Sequence, residues 1–242
     1  MRHIGILGHS ADGSALCYLE MVREGARRLR SHEHPEITMS LLPMGPTLPW
    51  WDALDLPKLN THLRATAQRL ADAGCDFFVC PDNTAHIALD AAQEPLPLPG
   101  LHICDVVAAR AKADGRRRIA LLGTRYTMQG PAYPAAFARH GLDMRVPGAA
   151  DQELLNRLIF DELCIGEITE RARAEFLRVI AVLKREGCDA VALSCTEIPL
   201  IVTPENSPLP TLDSTRLLAH AAVDVALGAR ALPTWRGGAW LG

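Results

Sequence analysis

Two short stretches of this 242-residue sequence put a proton-transfer side chain at the same point of the same local pattern. In Gly74-Cys75-Asp76-Phe77-Phe78-Val79-Cys80-Pro81-Asp82 the last residue is an aspartate; in Gly187-Cys188-Asp189-Ala190-Val191-Ala192-Leu193-Ser194-Cys195 it is a cysteine. Both stretches open Gly-Cys-Asp, and polar side chains follow the tip, Asn83-Thr84 in one and Thr196-Glu197 in the other. A carboxyl and a thiol are both acid/base groups. Placed on opposite faces of one carbon, one removes a proton while the other delivers one, which is what stereochemical inversion requires.

Each tip needs a strand to carry it. Asp76 to Cys80 is apolar after its aspartate, as expected of a strand covered on both faces. Ile4 to Gly8 and Ile37 to Leu42 read as further strands. Ala15 to Arg30 and Leu59 to Ala73 read as helices, the second with Leu63, Ala67 and Leu70 at helical spacing. Strands alternating with helices predict parallel α/β sheets.

The second half restates the first. Arg2 to Gly8 matches Arg117 to Gly123, the two Gly-Cys-Asp strands match, and Pro97-Leu98-Pro99 matches Pro208-Leu209-Pro210, all in the same order. The expected fold is therefore two pseudo-symmetric, Rossmann-like α/β domains with parallel sheets: residues 1–98 plus 211–242, and residues 99–210. A helix from Arg216 to Ala229 would return to the first domain, and Leu232 to Gly242 reads as a poorly ordered tail.

Ligands of open parallel sheets bind beyond the carboxyl ends of the strands. Here those loops are Gly8-His9-Ser10, Asp82-Asn83-Thr84, Gly123-Thr124-Arg125 and Cys195-Thr196-Glu197. If the domains face one another, Asp82 and Cys195 enter one cleft from opposite sides as the catalytic pair. Expected substrate contacts are His9, Ser10, Asn83, Thr84, Thr124, Thr127, Thr196 and Glu197, with backbone N–H groups and the amide and hydroxyl side chains suited to a carboxylate. Loop closure by His9, turn capping by Asp82 and strand-end capping by Thr124 and Thr127 are the competing structural roles. A thiol of ordinary pKa about 8.5 is a serviceable base once tuned, and N–H groups after its strand could favour the Cys195 anion. An exposed Asp82 would be a weak, ionised base, whereas burial beside a thiolate could keep it protonated as the acid. Cys80 is no simple substitute, since two residues back along a strand is about 6 to 7 Å away.

Composition narrows the function classes. A net charge of −3 gives no basic footprint for nucleic acid, and no apolar run approaches the roughly 20 residues that span a bilayer. Met1-Arg2-His3 leads straight into a strand, so no leader is expected. Seven cysteines without C-x-x-C spacing argue against a disulfide framework or a zinc site and for a reducing cytoplasm. The segment Gly8 to Gly13 lacks the G-x-G-x-x-G spacing of a dinucleotide site.

With these motifs the chain resembles the cofactor-independent aspartate/glutamate racemase family. The resemblance rests on Gly5-Ile6-Leu7-Gly8, Asn83-Thr84-Ala85-His86, Leu122 to Met128 and Cys195-Thr196-Glu197-Ile198-Pro199-Leu200, with Asp213 to His220, and it covers nearly the whole chain. It implies an amino-acid racemase or epimerase that uses one cysteine per domain at the α-carbon, without pyridoxal phosphate or metal, and a homodimer. Cys195 matches the second-domain cysteine; Asp82 stands where the family usually has its first. His9 replaces a common glycine, Ile165 stands where aspartate racemases often have lysine, and the loop from Pro43 to Trp51 is apolar and lacks arginine. A substrate other than aspartate is thereby plausible. The alternatives are a superfamily decarboxylase or isomerase using Cys195 alone, and a non-catalytic small-molecule binder.

Overall fold

The computed structural model describes residues 1–92 and 94–235 and resolves the chain into two α/β units, Met1–Ile103 with Thr215–Gly242, and Cys104–Ser214. The first runs β1 (Ile4–Gly8), α1 (Ala11–Arg28), β2 (Ile37–Leu41), α2 (Leu48–Asp52), α3 (Leu56–Asp72), β3 (Phe77–Val79), α4 (Ala85–Asp90) and β4 (Gly100–Leu101). After α5 (Ile103–Ala113) the second follows: β5 (Arg118–Gly123), α6 (Arg125–Gln129), α7 (Ala132–His140), β6 (Asp143–Arg145), α8 (Ala149–Asp161), α9 (Glu170–Arg185), β7 (Ala190–Ser194) and β8 (Thr211–Asp213). The last helix, α10 (Ser214–Ala226), belongs to the first unit almost throughout.

Both sheets are parallel, ordered β2-β1-β3-β4 and β6-β5-β7-β8. The repeat seen in the sequence extends to register: Ile4 pairs with Phe77 as Ile119 pairs with Ala190, and Phe78 with Gly100 as Val191 with Thr211. The short strands after Pro97-Leu98-Pro99 and Pro208-Leu209-Pro210 stay with the sheet they follow. The chain therefore crosses at 103/104 and 214/215, after those strands, where the sequence reading placed the crossings before them. Central β1 and β7 are buried along their whole length, while edge strands β2 and β6 are half-exposed.

Local chemistry explains why Gly-Cys-Asp occurs twice. Gly74 and Gly187 adopt φ of +82° and +93° just past the ends of α3 and α9, the left-handed position that glycine fills without strain. The next N–H closes the helix, from Cys75 to Leu70 O and from Cys188 to Leu183 O. The cysteine side chains drop into the core. Each aspartate then clips the neighbouring strand, Asp76 accepting the His3 N–H at 2.7 Å and Asp189 the Arg118 N–H at 3.2 Å. The motif thus ends a helix, seeds the core and fixes strand register in three residues.

One expectation is corrected. Within the stretch from Leu232, Leu232 and Thr234 are exposed, but Trp235 is buried, stacks on His86 at 5.5 Å and lies against Phe78 and His102. Its carbonyl accepts the Gly100 N–H. A tryptophan buries enough apolar surface to hold its own stretch of chain against the core. Residues 236–242 lie outside the described residues.

Candidate active site

In the first unit, strand register brings His9 and Asp82 together. Ile6 pairs with Val79 across β1 and β3, and each candidate lies three residues further along its chain. Neighbouring strands run about 5 Å apart, so the two side chains meet beyond the strand ends. His9 Nδ1 and Asp82 Oδ2 are 2.6 Å apart, and the second carboxyl oxygen accepts the Ala85 N–H at 3.1 Å. The capping role read for Asp82 is therefore present, but it occupies one oxygen only.

His9 is buried, and its other nitrogen is engaged as well: Trp51 Nε1 donates to His9 Nε2 at 3.2 Å. An indole nitrogen can only donate, so Nε2 accepts and the proton of a neutral ring sits on Nδ1, facing Asp82. Trp51 reaches this position from α2, its ring edge-on to the imidazole at 5.6 Å. Beneath Asp82, His86 Nδ1 contacts the Asp82 carbonyl at 2.9 Å while its Nε2 accepts the Ile103 N–H at 3.3 Å. With both nitrogens bonded inside the core, His86 is a structural brace. Burial and the neighbouring His102 hold its pKa down to about 3.

These contacts set the charge on Asp82. Burial is the largest single influence and works to raise its pKa. His9, through its field and its hydrogen bond, the Ala85 N–H and His86 together outweigh burial, and the carboxyl is held below its ordinary value. The contacts around Asp82 thus favour the carboxylate over the protonated acid. Cys80 is completely buried, and desolvation and the Asp82 charge hold its thiol protonated.

In the second unit the same register sets Thr124 opposite Cys195, since Leu121 pairs with Ala192. Thr124 turns to α6 instead: its hydroxyl accepts the Thr127 N–H at 3.3 Å and lies 3.2 Å from the Thr127 hydroxyl. Gly123 permits this crowding, because a Cβ there would fall 2.9 Å from Ser194 O and 3.1 Å from Thr127 Cβ. Cys195 finds its partner along its own loop, Sγ donating to Glu197 Oε2 at 2.8 Å, and Thr196 Oγ1 donates to Glu197 Oε1 at 2.6 Å. Burial, the Glu197 charge and the bond to it push the thiol well above its usual pKa. The Glu197 N–H favours the thiolate, as the sequence suggested, but is outweighed.

The other sequence candidates fall around these two centres. Asn83 is buried and Thr84 half-buried directly after Asp82, and half-buried Ser10 opens α1. Sequence reasoning missed the link from Trp51 to His9 and the direct bond between Glu197 and Cys195. Adjacent strand ends were signal enough to pair His9 with Asp82.

Two four-stranded parallel α/β units, each ending one central strand in an acid/base side chain, define the class of protein. The chain belongs to the Asp/Glu/Hydantoin racemase family, whose family model matches residues 4–222. The broad specificity amino-acid racemase RacX of Bacillus subtilis is 25% identical over 175 residues, 72% of this chain and 75% of that protein. Glutamate racemase of Mycobacterium leprae is 28% identical over 150 residues, an alignment spanning 53% of its length. Among solved structures, a Yersinia pestis protein provisionally described as an Asp/Glu racemase superposes with a TM-score of 0.84 at 30% identity, covering 94% of this chain and all of that one (100%). An aspartate racemase homologue from Pyrococcus horikoshii OT3, 24% identical with a TM-score of 0.78, shares the fold. Among the described residues no helix is long and apolar enough to cross a membrane.

Proposed function

We propose that this chain is a cofactor-independent amino-acid racemase or epimerase, with Asp82 and Cys195 as acid/base partners on opposite faces of the α-carbon. The observation that carries the reading is their equivalent placement, three residues beyond Val79 of β3 and three beyond Ala192 of β7 at the carboxyl ends of two parallel sheets, with contacts that favour the carboxylate at Asp82 and the thiol at Cys195. Asp82 takes the α-proton, the C–H electron pair passes into the substrate carboxyl as an enolate, and the Cys195 S–H protonates the other face. The products are the inverted amino acid, protonated Asp82 and a Cys195 thiolate; exchange with solvent restores the resting state. The opposite enantiomer is taken by the minor form with the thiolate and the protonated aspartate, so the two directions draw on unequal enzyme populations. An anionic Asp82 disfavours binding a second carboxylate beside it, which weighs against the decarboxylase alternative.

In this reading Ser10, Asn83, Thr84, Thr124 and Thr127 hold the substrate carboxylate and amine. The apolar 43–51 loop and Ile165, with RacX among the relatives, favour a substrate that is not acidic. The reading includes a cytoplasmic homodimer without cofactor. The test is chiral chromatography after incubation with single enantiomers of a broad amino-acid panel. Loss of optical purity that disappears in Cys195→Ala supports the proposal. Thermal stabilisation by an amino acid without turnover, retained in Cys195→Ala, would instead make the chain a binding module.

A further inference from the structure

We infer that His9 is a positioning residue: Trp51 locks its ring in the Nδ1–H tautomer, and that proton pins Asp82 in one orientation, so a histidine–carboxylate pair stands where the resemblance implies a cysteine. The inference builds on the proposed role of Asp82 and goes beyond it.

Both ring nitrogens of His9 are committed, one to Trp51 at 3.2 Å and one to Asp82 at 2.6 Å. A second ring proton would set two N–H groups head to head at Nε2 and break the Trp51 bond. His9 is therefore suited to orient Asp82 and poorly suited to carry a proton to or from substrate. This moves it from the substrate contacts expected in the sequence to the group behind the base. With Oδ1 on the Ala85 N–H and Oδ2 on His9, the carboxyl cannot rotate without losing one of two bonds, and its remaining lone pairs keep a fixed direction. Bonds to a charged acceptor are the strong ones.

Several titratable groups of the described residues face the pair. His86 approaches from α4, the buried Cys80 from β3's end and, behind it, Cys17 from α1. His62 of α3 faces His9, with Trp50 edge-on to it at 6.0 Å. His86 is held neutral by burial, and burial likewise pushes the His62 pKa down.

The first test needs no substrate. Ring-nitrogen NMR of the full chain labelled with ¹⁵N-histidine should show His9 protonated at Nδ1 and bare at Nε2, with Trp51→Phe shifting the population towards Nε2–H. Titration of the ¹³C-labelled Asp82 carboxyl should move upward in His9→Ala and return most of the way in His9→Asn, whose amide can donate from near the Nδ1 position. Catalysis supplies the second arm: His9→Ala should lose about 10- to 100-fold in kcat, the effect of one charge-assisted hydrogen bond, and shift the acid limb of kcat/KM upward, with His9→Asn recovering most of both. A wild-type His9 protonated at Nε2, or an Asp82 titration unmoved in His9→Ala, would overturn the inference. If wild type inverts no amino acid while the NMR results hold, the racemase reading fails and the His9–Asp82 pair stands.

Discussion

Glu197 accepts the Cys195 thiol proton at 2.8 Å from only two residues further along the same loop. This pairing keeps sulfur protonated: a thiolate there would face a carboxylate within hydrogen-bond distance. Glu197→Gln removes the charge but leaves an amide oxygen in place. We expect Cys195 to form thiolate more readily in that variant, so its alkylation by iodoacetamide at pH 8 should rise several-fold. Peptide mass mapping separates Cys195 from the exposed Cys164. An unchanged rate would show that burial alone sets the thiol.

Asp82→Asn keeps the size of the side chain and can still accept the Ala85 N–H, but it cannot take a proton. General acid–base groups contribute about 10² to 10⁴ in rate, and inversion should fall by that order while substrate affinity stays within a few-fold. Chiral chromatography and calorimetric binding measure the two separately. A comparable loss of affinity would recast Asp82 as a binding group.

Stability should fall towards acid for an identifiable reason. His86 sits at about 3 in the fold against an ordinary 6.5, so the native state resists its protonation. Its contribution is complete above pH 6.5 and is lost as pH falls towards 3, with a slope of up to about 1.4 kcal/mol per pH unit and a total on the order of 5 kcal/mol. The lowered Asp82 adds a loss confined to the region below its ordinary 3.8. Urea unfolding of His86→Asn, which keeps a donor for the Asp82 carbonyl, should show a flatter stability profile between pH 4 and 6.5. The described tryptophans, Trp50, Trp51 and Trp235, all belong to the first unit, so their fluorescence follows its unfolding.

Trp235→Ala tests whether the terminal stretch belongs to the core. Removing a buried tryptophan typically costs about 3 to 5 kcal/mol, and the loss should appear in the same fluorescence-monitored urea transition. A cost under about 1 kcal/mol would mean that His86, Phe78 and His102 close over the gap.

Much of the fold was legible because its signals are local. Gly74 and Gly187 end helices by their backbone freedom, Asp76 and Asp189 clip adjacent strands, and the repetition of this motif at matching spacing revealed two units. Short elements were not legible: β6 is only three residues of mixed polarity, and α4 depends on the Asp82 cap and on His86 bonding back to Asp82. Asp82 and Cys195 could be named from their strand tips, but their protonation could not. That depends on His9, 73 positions from Asp82, and on which way Glu197 turns in its loop. Trp51 read as the end of an apolar loop; the folded chain shows its N–H on His9.

The most direct test of a two-base mechanism is early-time turnover of one enantiomer in D₂O, with deuterium at the α-carbon measured separately in product and in recovered substrate. Asp82 and Cys195 acting on opposite faces predict product carrying one deuterium while recovered substrate remains protiated. Deuterium accumulating in recovered substrate without inversion would mean that a single group both removes and returns the proton, contradicting the paired roles of Asp82 and Cys195.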